Sequence, residues 1–96
     1  MCKNKNIWTF AQIYYENKML TRIETFVIER VKKTRIERNI SQAELASLIN
    51  VSVGFIGKVE SFKYNTKYNL NHINNIAKAL NISPKDLLPE TYLANE

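Results

Sequence analysis

An all-helical fold is what this sequence predicts, and three observations carry that prediction. Apolar residues recur at i, i+3 and i+4 spacing in one segment after another, the period of helices with one buried face. Helix-start signatures stand just ahead of those segments: Thr21 with Glu24, Ser41 with Glu44, and Ser83 with Pro84 and Asp86. Only two glycines and two prolines interrupt the 96 residues, and 45% of the chain is apolar, which suits a packed domain rather than a disordered tail.

The first 20 residues differ from the rest. Ile7, Trp8, Phe10, Ile13, Tyr14 and Tyr15 crowd together with little charge between them. Phe10, Ile13 and Tyr14 have helical spacing and Thr9 with Gln12 fits a capping box, but the same residues also fit an edge strand. Met19 lies just before the first strong helix signal. Residues 1–18 therefore read either as an extension upstream of the natural start or as an arm that covers a dimer interface. The chain divides into an extension over 1–20 and one folded domain over 21–96.

In the capping box of Thr21 and Glu24, each side chain satisfies the other residue's backbone N–H. A first helix follows from about Arg22 to Arg38, with Ile23, Phe26, Val27, Val31 and Thr34 on one face and Arg30, Lys32, Lys33, Arg35 and Arg38 on the others. Ser41 and Glu44 open a second, short helix whose apolar face is Leu45, Ala46, Leu48 and Ile49. Asn50-Val51 makes a tight break, since asparagine tolerates the left-handed conformation. Ser52 caps a third helix to about Ser61, with Phe55, Ile56 and Val59 on one side and Val53, Gly54, Gly57, Lys58 and Ser61 on the other.

Lys63 to Asn69 is a polar loop. A fourth helix runs from about Leu70 to Leu80 with Leu70, Ile73, Ile76, Ala77 and Leu80 facing inward. Ser83-Pro84-Lys85-Asp86 starts a fifth, in which Leu87 and Leu88 close the core and Pro89 ends the helix.

Charge and composition bound the function. Lysine and arginine outnumber aspartate and glutamate by 14 to 9, and the formal charge of +5 with a pI near 9.4 suits a polyanionic partner. The single cysteine, Cys2, excludes an intrachain disulfide framework and a cysteine-rich zinc site, and fits a reducing compartment. No apolar run approaches the roughly 18 residues of a membrane span. Ile7 to Tyr15 is broken by Thr9 and Gln12 and lacks a small-residue cleavage site, so it is not a signal peptide. The only histidine, His72, has no carboxylate or cysteine at ligand spacing and reads as a surface residue. The expectation is a soluble, cytoplasmic, non-catalytic protein without metal or cofactor.

Two short helices joined by a tight turn, with a basic helix before and two helices after, resemble the phage-repressor (Cro-like, or Xre) helix-turn-helix family. The resemblance spans about Phe26 to Leu88. It is carried by Ser41-Gln42-Ala43-Glu44-Leu45-Ala46, Val51-Ser52, Ile56 with Val59-Glu60, and Ile76-Ala77-Lys78-Ala79-Leu80 leading into Ser83-Pro84-Lys85-Asp86-Leu87-Leu88. It implies a five-helix, lambda-repressor-like DNA-binding domain acting as a transcriptional regulator, most simply a repressor.

The same resemblance implies the site. Gln42, just after the Ser41 cap, would hold a DNA phosphate, a role helix N-termini favour. Base readers would lie at Ser52, Val53, Gly54 and Lys58, where valine and glycine replace the family's long polar side chains. Gly54 and Gly57 each cost ~1 kcal/mol relative to alanine inside a helix. Either they let the backbone sit deep against base edges, with Val53 on a thymine methyl, or they relieve crowding near Phe55 or the second helix. Lys63 and Lys67 would grip phosphates from a loop longer than the family norm, in which Phe62 stands where glycine is common. Arg35 and Glu60 match an ion pair tying the first helix to the third. The implied partners are a palindromic DNA duplex and a second copy docked through the fourth and fifth helices. An antitoxin that also binds a protein partner, through the N-terminal segment or Tyr92-Leu93, is the alternative, and a controller of a restriction system or phage differs only in genetic context.

Overall fold

The computed structural model describes residues 20–94. Among these residues four α-helices follow one another: α1 (Arg22–Glu37), α2 (Gln42–Ile49), α3 (Val53–Ser61) and α4 (Leu70–Leu80). A single 3-10 turn, Pro84–Leu87, closes the order, and no strand occurs among the described residues.

Each helix start is closed by its own sequence. The Thr21 N–H donates to Glu24 Oε1 at 2.9 Å while Thr21 Oγ1 accepts from the Glu24 N–H at 3.3 Å. The Ser41–Glu44 box is formed in the same way, at 2.7 and 3.0 Å. Ser52 Oγ accepts from the Phe55 N–H at 3.0 Å. Asparagines supply left-handed turns after α1, α2 and α4, with φ of 58° at Asn39, 60° at Asn50 and 57° at Asn81. Beyond the last two, the chain folds back so that Val51 donates to the Ala46 carbonyl and Ile82 to that of Ala77, both at 2.9 Å.

The main core joins all four helices and the final turn. It comprises Val27 and Val31 of α1, Leu45, Ala46 and Ile49 of α2, Ile56 of α3, Ile73, Ile76, Ala77 and Leu80 of α4, and Leu87. A smaller cluster of Leu20, Ile28 and Val59 lies between α1 and α3. Leu20 is thus part of the folded unit, although the sequence places it in the extension. The face of α1 is also wider than its apolar stripe: Thr25 and Ile28 are buried, whereas Ile23 is 41% exposed.

Three inward positions read from periodicity are outward in the structure. Leu48 is 58% exposed, Leu70 82% and Leu88 37%, each at the margin of its helix or turn where period alone does not decide the facing. The expected fifth helix is also corrected, to that one 3-10 turn. Leu88 precedes Pro89, whose ring disfavours helical backbone in the preceding residue, and it is extended at φ −111°, ψ 155°. Between Pro84 and Pro89 no α-helix has room to propagate. The turn is tied to α1 by Arg30 Nη1, which donates to the Asp86 carbonyl at 2.8 Å.

Candidate nucleic-acid interface

α2 and α3 meet through a three-residue connection, Asn50 to Ser52, the geometry of a helix-turn-helix. Their crossing is close because Ala46, 3% exposed, presents only a methyl group at the contact. Ile56 and Val59 are buried on the inner side of α3, while Ser52, Val53, Gly54 and Lys58 are exposed on the outer side and at its start. The base-reading residues inferred from sequence therefore share one solvent-facing surface, and the plain core residues aim it.

Among the described residues nothing crowds the two glycines of α3. Neither has positive φ. A Cβ on Gly54 would come no nearer than 3.9 Å, to Ser52 Oγ, and one on Gly57 no nearer than 3.8 Å, to Gln42 Oε1. Both are ordinary van der Waals distances, so alanine fits at either place. Of the two explanations left open by sequence, relief of crowding finds no support among the described residues.

A buried ionic network holds α3 in place. Arg35 Nε donates to Glu60 Oε2 at 3.1 Å and Nη2 to Oε1 at 2.9 Å, while Nη1 donates to the Ile40 carbonyl at 2.7 Å. Both residues are buried, so the pair inferred from sequence is present as a two-point bond across 25 positions of chain. Sequence reasoning missed its third member. Gln42 Nε2 donates to Glu60 Oε1 at 3.0 Å, so the half-buried carboxamide bridges the start of α2 to α3. One amide hydrogen of Gln42 is thus committed inward.

The loop lysines separate. Lys63 is exposed just after α3. Lys67 instead reaches the first turn of α1, where Nζ lies 3.0 Å from Glu24 Oε2. Burial pushes the Glu24 carboxyl up, but the Thr21 backbone hydrogen bond and the Lys67 ammonium outweigh it and hold the group below its ordinary value. Lys58 Nζ sits 5.5 Å from the centre of the Tyr64 ring, a contact that sequence spacing did not suggest. Phe62 has φ 62°, which explains why glycine suits that position; its ring packs on the Leu20–Ile28–Val59 cluster.

His72 is not a plain surface histidine. Its Nδ1 accepts from the Asn69 N–H at 3.0 Å while Asn69 Oδ1 accepts from the His72 N–H at 2.8 Å, so an imidazole completes the capping box of α4. The ring lies 4.9 Å from that of Phe55 and 6.1 Å from that of Tyr68. The Tyr68 hydroxyl is buried and has no hydrogen-bond partner among the described residues. Burial and then the Glu60 charge push its pKa above the usual phenol range, and Arg35 offsets only part of that. Among the described residues no cluster of histidine, cysteine, aspartate or glutamate has the arrangement of a metal site. Among the same residues no helix is long and apolar enough to cross a membrane.

Residues 30–89 match the family of Cro/C1-type HTH DNA-binding domains. Among solved structures, the restriction-modification controller protein C.AhdI from Aeromonas hydrophila is 30% identical, with a TM-score of 0.57 over 66% of this chain and 92% of that one. Hydroxypropylphosphonic acid epoxidase from S. wedmorenis is 24% identical with a TM-score of 0.62, over 73% of this chain and 36% of the enzyme, a likeness of fold alone. No curated protein sequence matches significantly. With its two docked helices, its outward α3 surface and a family match over most of its length, the chain belongs to the Cro/C1-type helix-turn-helix DNA-binding domains.

Proposed function

We propose that this DNA-binding regulator is a cytoplasmic, non-catalytic repressor of the Xre type that reads a palindromic operator as a homodimer, with α3 in the major groove. The observation that carries the reading is the outer surface of α3. Val53, Gly54 and Lys58 are exposed there, and two glycines weaken the helix with no relief of crowding among the described residues. A flat, glycine-lined helix face lets backbone and Val53 approach base edges closely, with Val53 suited to a thymine methyl. Single modules of this size contact few bases, and two copies on half-sites about 34 Å apart double the readout. The second copy is expected against α4 and the turn that follows it. The likeness to a restriction-modification controller favours a regulatory role over that of an antitoxin.

Positioning and reading are assigned to different side chains, and binding isotherms separate them. An operator selected from a random duplex pool and a scrambled control are titrated at several salt concentrations. Gln42→Ala is expected to weaken both duplexes by a similar factor, since it removes a phosphate contact and a brace of α3. Lys58→Ala is expected to weaken the operator more, because a base contact discriminates by ~1–3 kcal/mol. Equal losses on both duplexes, with the salt slope reduced by ~0.9 per half-site, would move Lys58 from base to phosphate. A complex that sediments with one protein per saturated operator would refute the dimer.

A further inference from the structure

The loop that follows α3 is fixed at both of its ends. Phe62 starts it with φ 62°, and the Phe62 ring packs on the Leu20–Ile28–Val59 cluster. Ser61 Oγ ties the last turn of α3 to the loop, donating to the Lys58 carbonyl at 3.1 Å and accepting from the Lys63 N–H at 3.3 Å. At the far end Lys67 pairs with Glu24, and the Tyr68 ring meets that of Phe55 at 6.0 Å between centres. Residues 63–65 stand exposed between these anchors. Among them is Tyr64, 46% exposed, and the Lys58 ammonium lies 5.5 Å from its ring centre.

This contact differs from an ion pair in what it leaves available. Arg35 and Lys67 each meet a carboxylate, whereas Lys58 has no such partner among the described residues. An aromatic face attracts a cation through its quadrupole and does not neutralise it. The three N–H donors of Lys58 are likewise not spent on a carboxylate. A lysine otherwise spreads over many rotamers, and fixing one of them at the moment of binding costs affinity. Both side chains are exposed, so the contact adds little to the stability of the fold. Its consequence falls on whatever Lys58 touches.

We propose that Tyr64 is a positioning residue for DNA recognition, its ring holding Lys58 ready for a base edge and so sharpening the choice of operator. The proposal rests on the reading of α3 as the helix in the major groove and of Lys58 as one of its base readers. It adds the loop after α3 to the determinants of specificity, acting through Lys58 and not by a base contact of its own.

Two measurements on the full chain test it, with circular dichroism as the check that each variant is folded. In the free protein, the methylene protons beside the Lys58 ammonium should be shifted upfield by the ring current in the wild type and in Tyr64→Phe, and not in Tyr64→Leu. The selected operator and the scrambled duplex are then titrated with the same proteins. Tyr64→Leu should lower the ratio of operator to scrambled affinity by roughly two- to fivefold, the size of an exposed cation–π contact. Tyr64→Phe should keep the ratio, and Tyr64→Leu added to Lys58→Ala should lower it no further. Absence of the upfield shift, an unchanged ratio in Tyr64→Leu, or a loss equal on both duplexes would overturn the proposal. So would a loss that Tyr64→Phe shares or that persists without Lys58, because Tyr64 would then meet DNA itself. These outcomes leave the DNA-binding reading standing. A wild type that prefers no duplex would sink that reading, and this inference with it.

Discussion

α3 and α4 are neighbours of similar length, nine and eleven residues, and they are stabilised in different ways. α4 is well specified by its own sequence. Asn69 and His72 close its start, Asn81 takes the left-handed turn at its end, no glycine interrupts it, and Ile73, Ile76, Ala77 and Leu80 are buried at helical spacing. α3 has a single side-chain cap at Ser52, carries Gly54 and Gly57, and ends at Phe62 with φ 62°, where a bulky residue is unfavourable. It persists because Ile56, Val59 and Glu60 are gripped by α1 and α2. Tertiary contacts hold α3, and that frees its outer face to be chosen for what it touches.

The largest expected effect breaks that grip. Glu60→Ala leaves the Arg35 guanidinium buried without its carboxylate and releases Gln42 as well, which should cost ~3–5 kcal/mol in urea unfolding. A loss below about 1 kcal/mol would mean that packing alone holds α3. A smaller effect is expected at α4, where Asn69→Ala removes one cap and should cost about 1 kcal/mol in the same measurement, with operator affinity unchanged once the protein is folded. The smallest has the opposite sign. Gly54→Ala and Gly57→Ala should each stabilise the protein by up to ~1 kcal/mol, because both sites have room for a methyl group, and should weaken DNA binding. Stabilisation with unaltered DNA binding would remove the argument that these glycines serve close approach.

The comparison also shows which features a sequence displays. The boxes at Thr21, Ser41 and Ser83 are legible because each pairs a hydroxyl with a carboxylate three residues on. The box of α4 is equally local but went unread, since its third position is histidine. The Arg35–Glu60 pair was visible only through family resemblance, and the Gln42 bond to Glu60 not at all, because nothing local marks two side chains 18 residues apart. Periodicity found the buried centre of every helix and misjudged margins. Leu48 and Leu70 fit an apolar stripe but fall outside what the neighbours cover, while Ile28 lies off the stripe of α1 and meets Val59. That Glu24 of α1 lies beside the loop cation Lys67 is likewise invisible in the sequence, where 43 positions separate the two.

The Arg35–Glu60–Gln42 network also bears on how the motif comes apart. Its bonds join α1, α2 and α3, and opening any one of the helices strands a charge or a polar group in the interior. Partial opening of the motif is therefore costly, and α3 has no inexpensive route to fray from its C-terminal side while the rest stays folded. In native-state hydrogen exchange, the amides of Val59 and Glu60 are expected in the slowest class, exchanging with the free energy of global unfolding, even though they sit in the helix least able to stand alone. A short helix that carries two glycines would thereby acquire the persistence of the whole domain, with an orientation as durable as the fold.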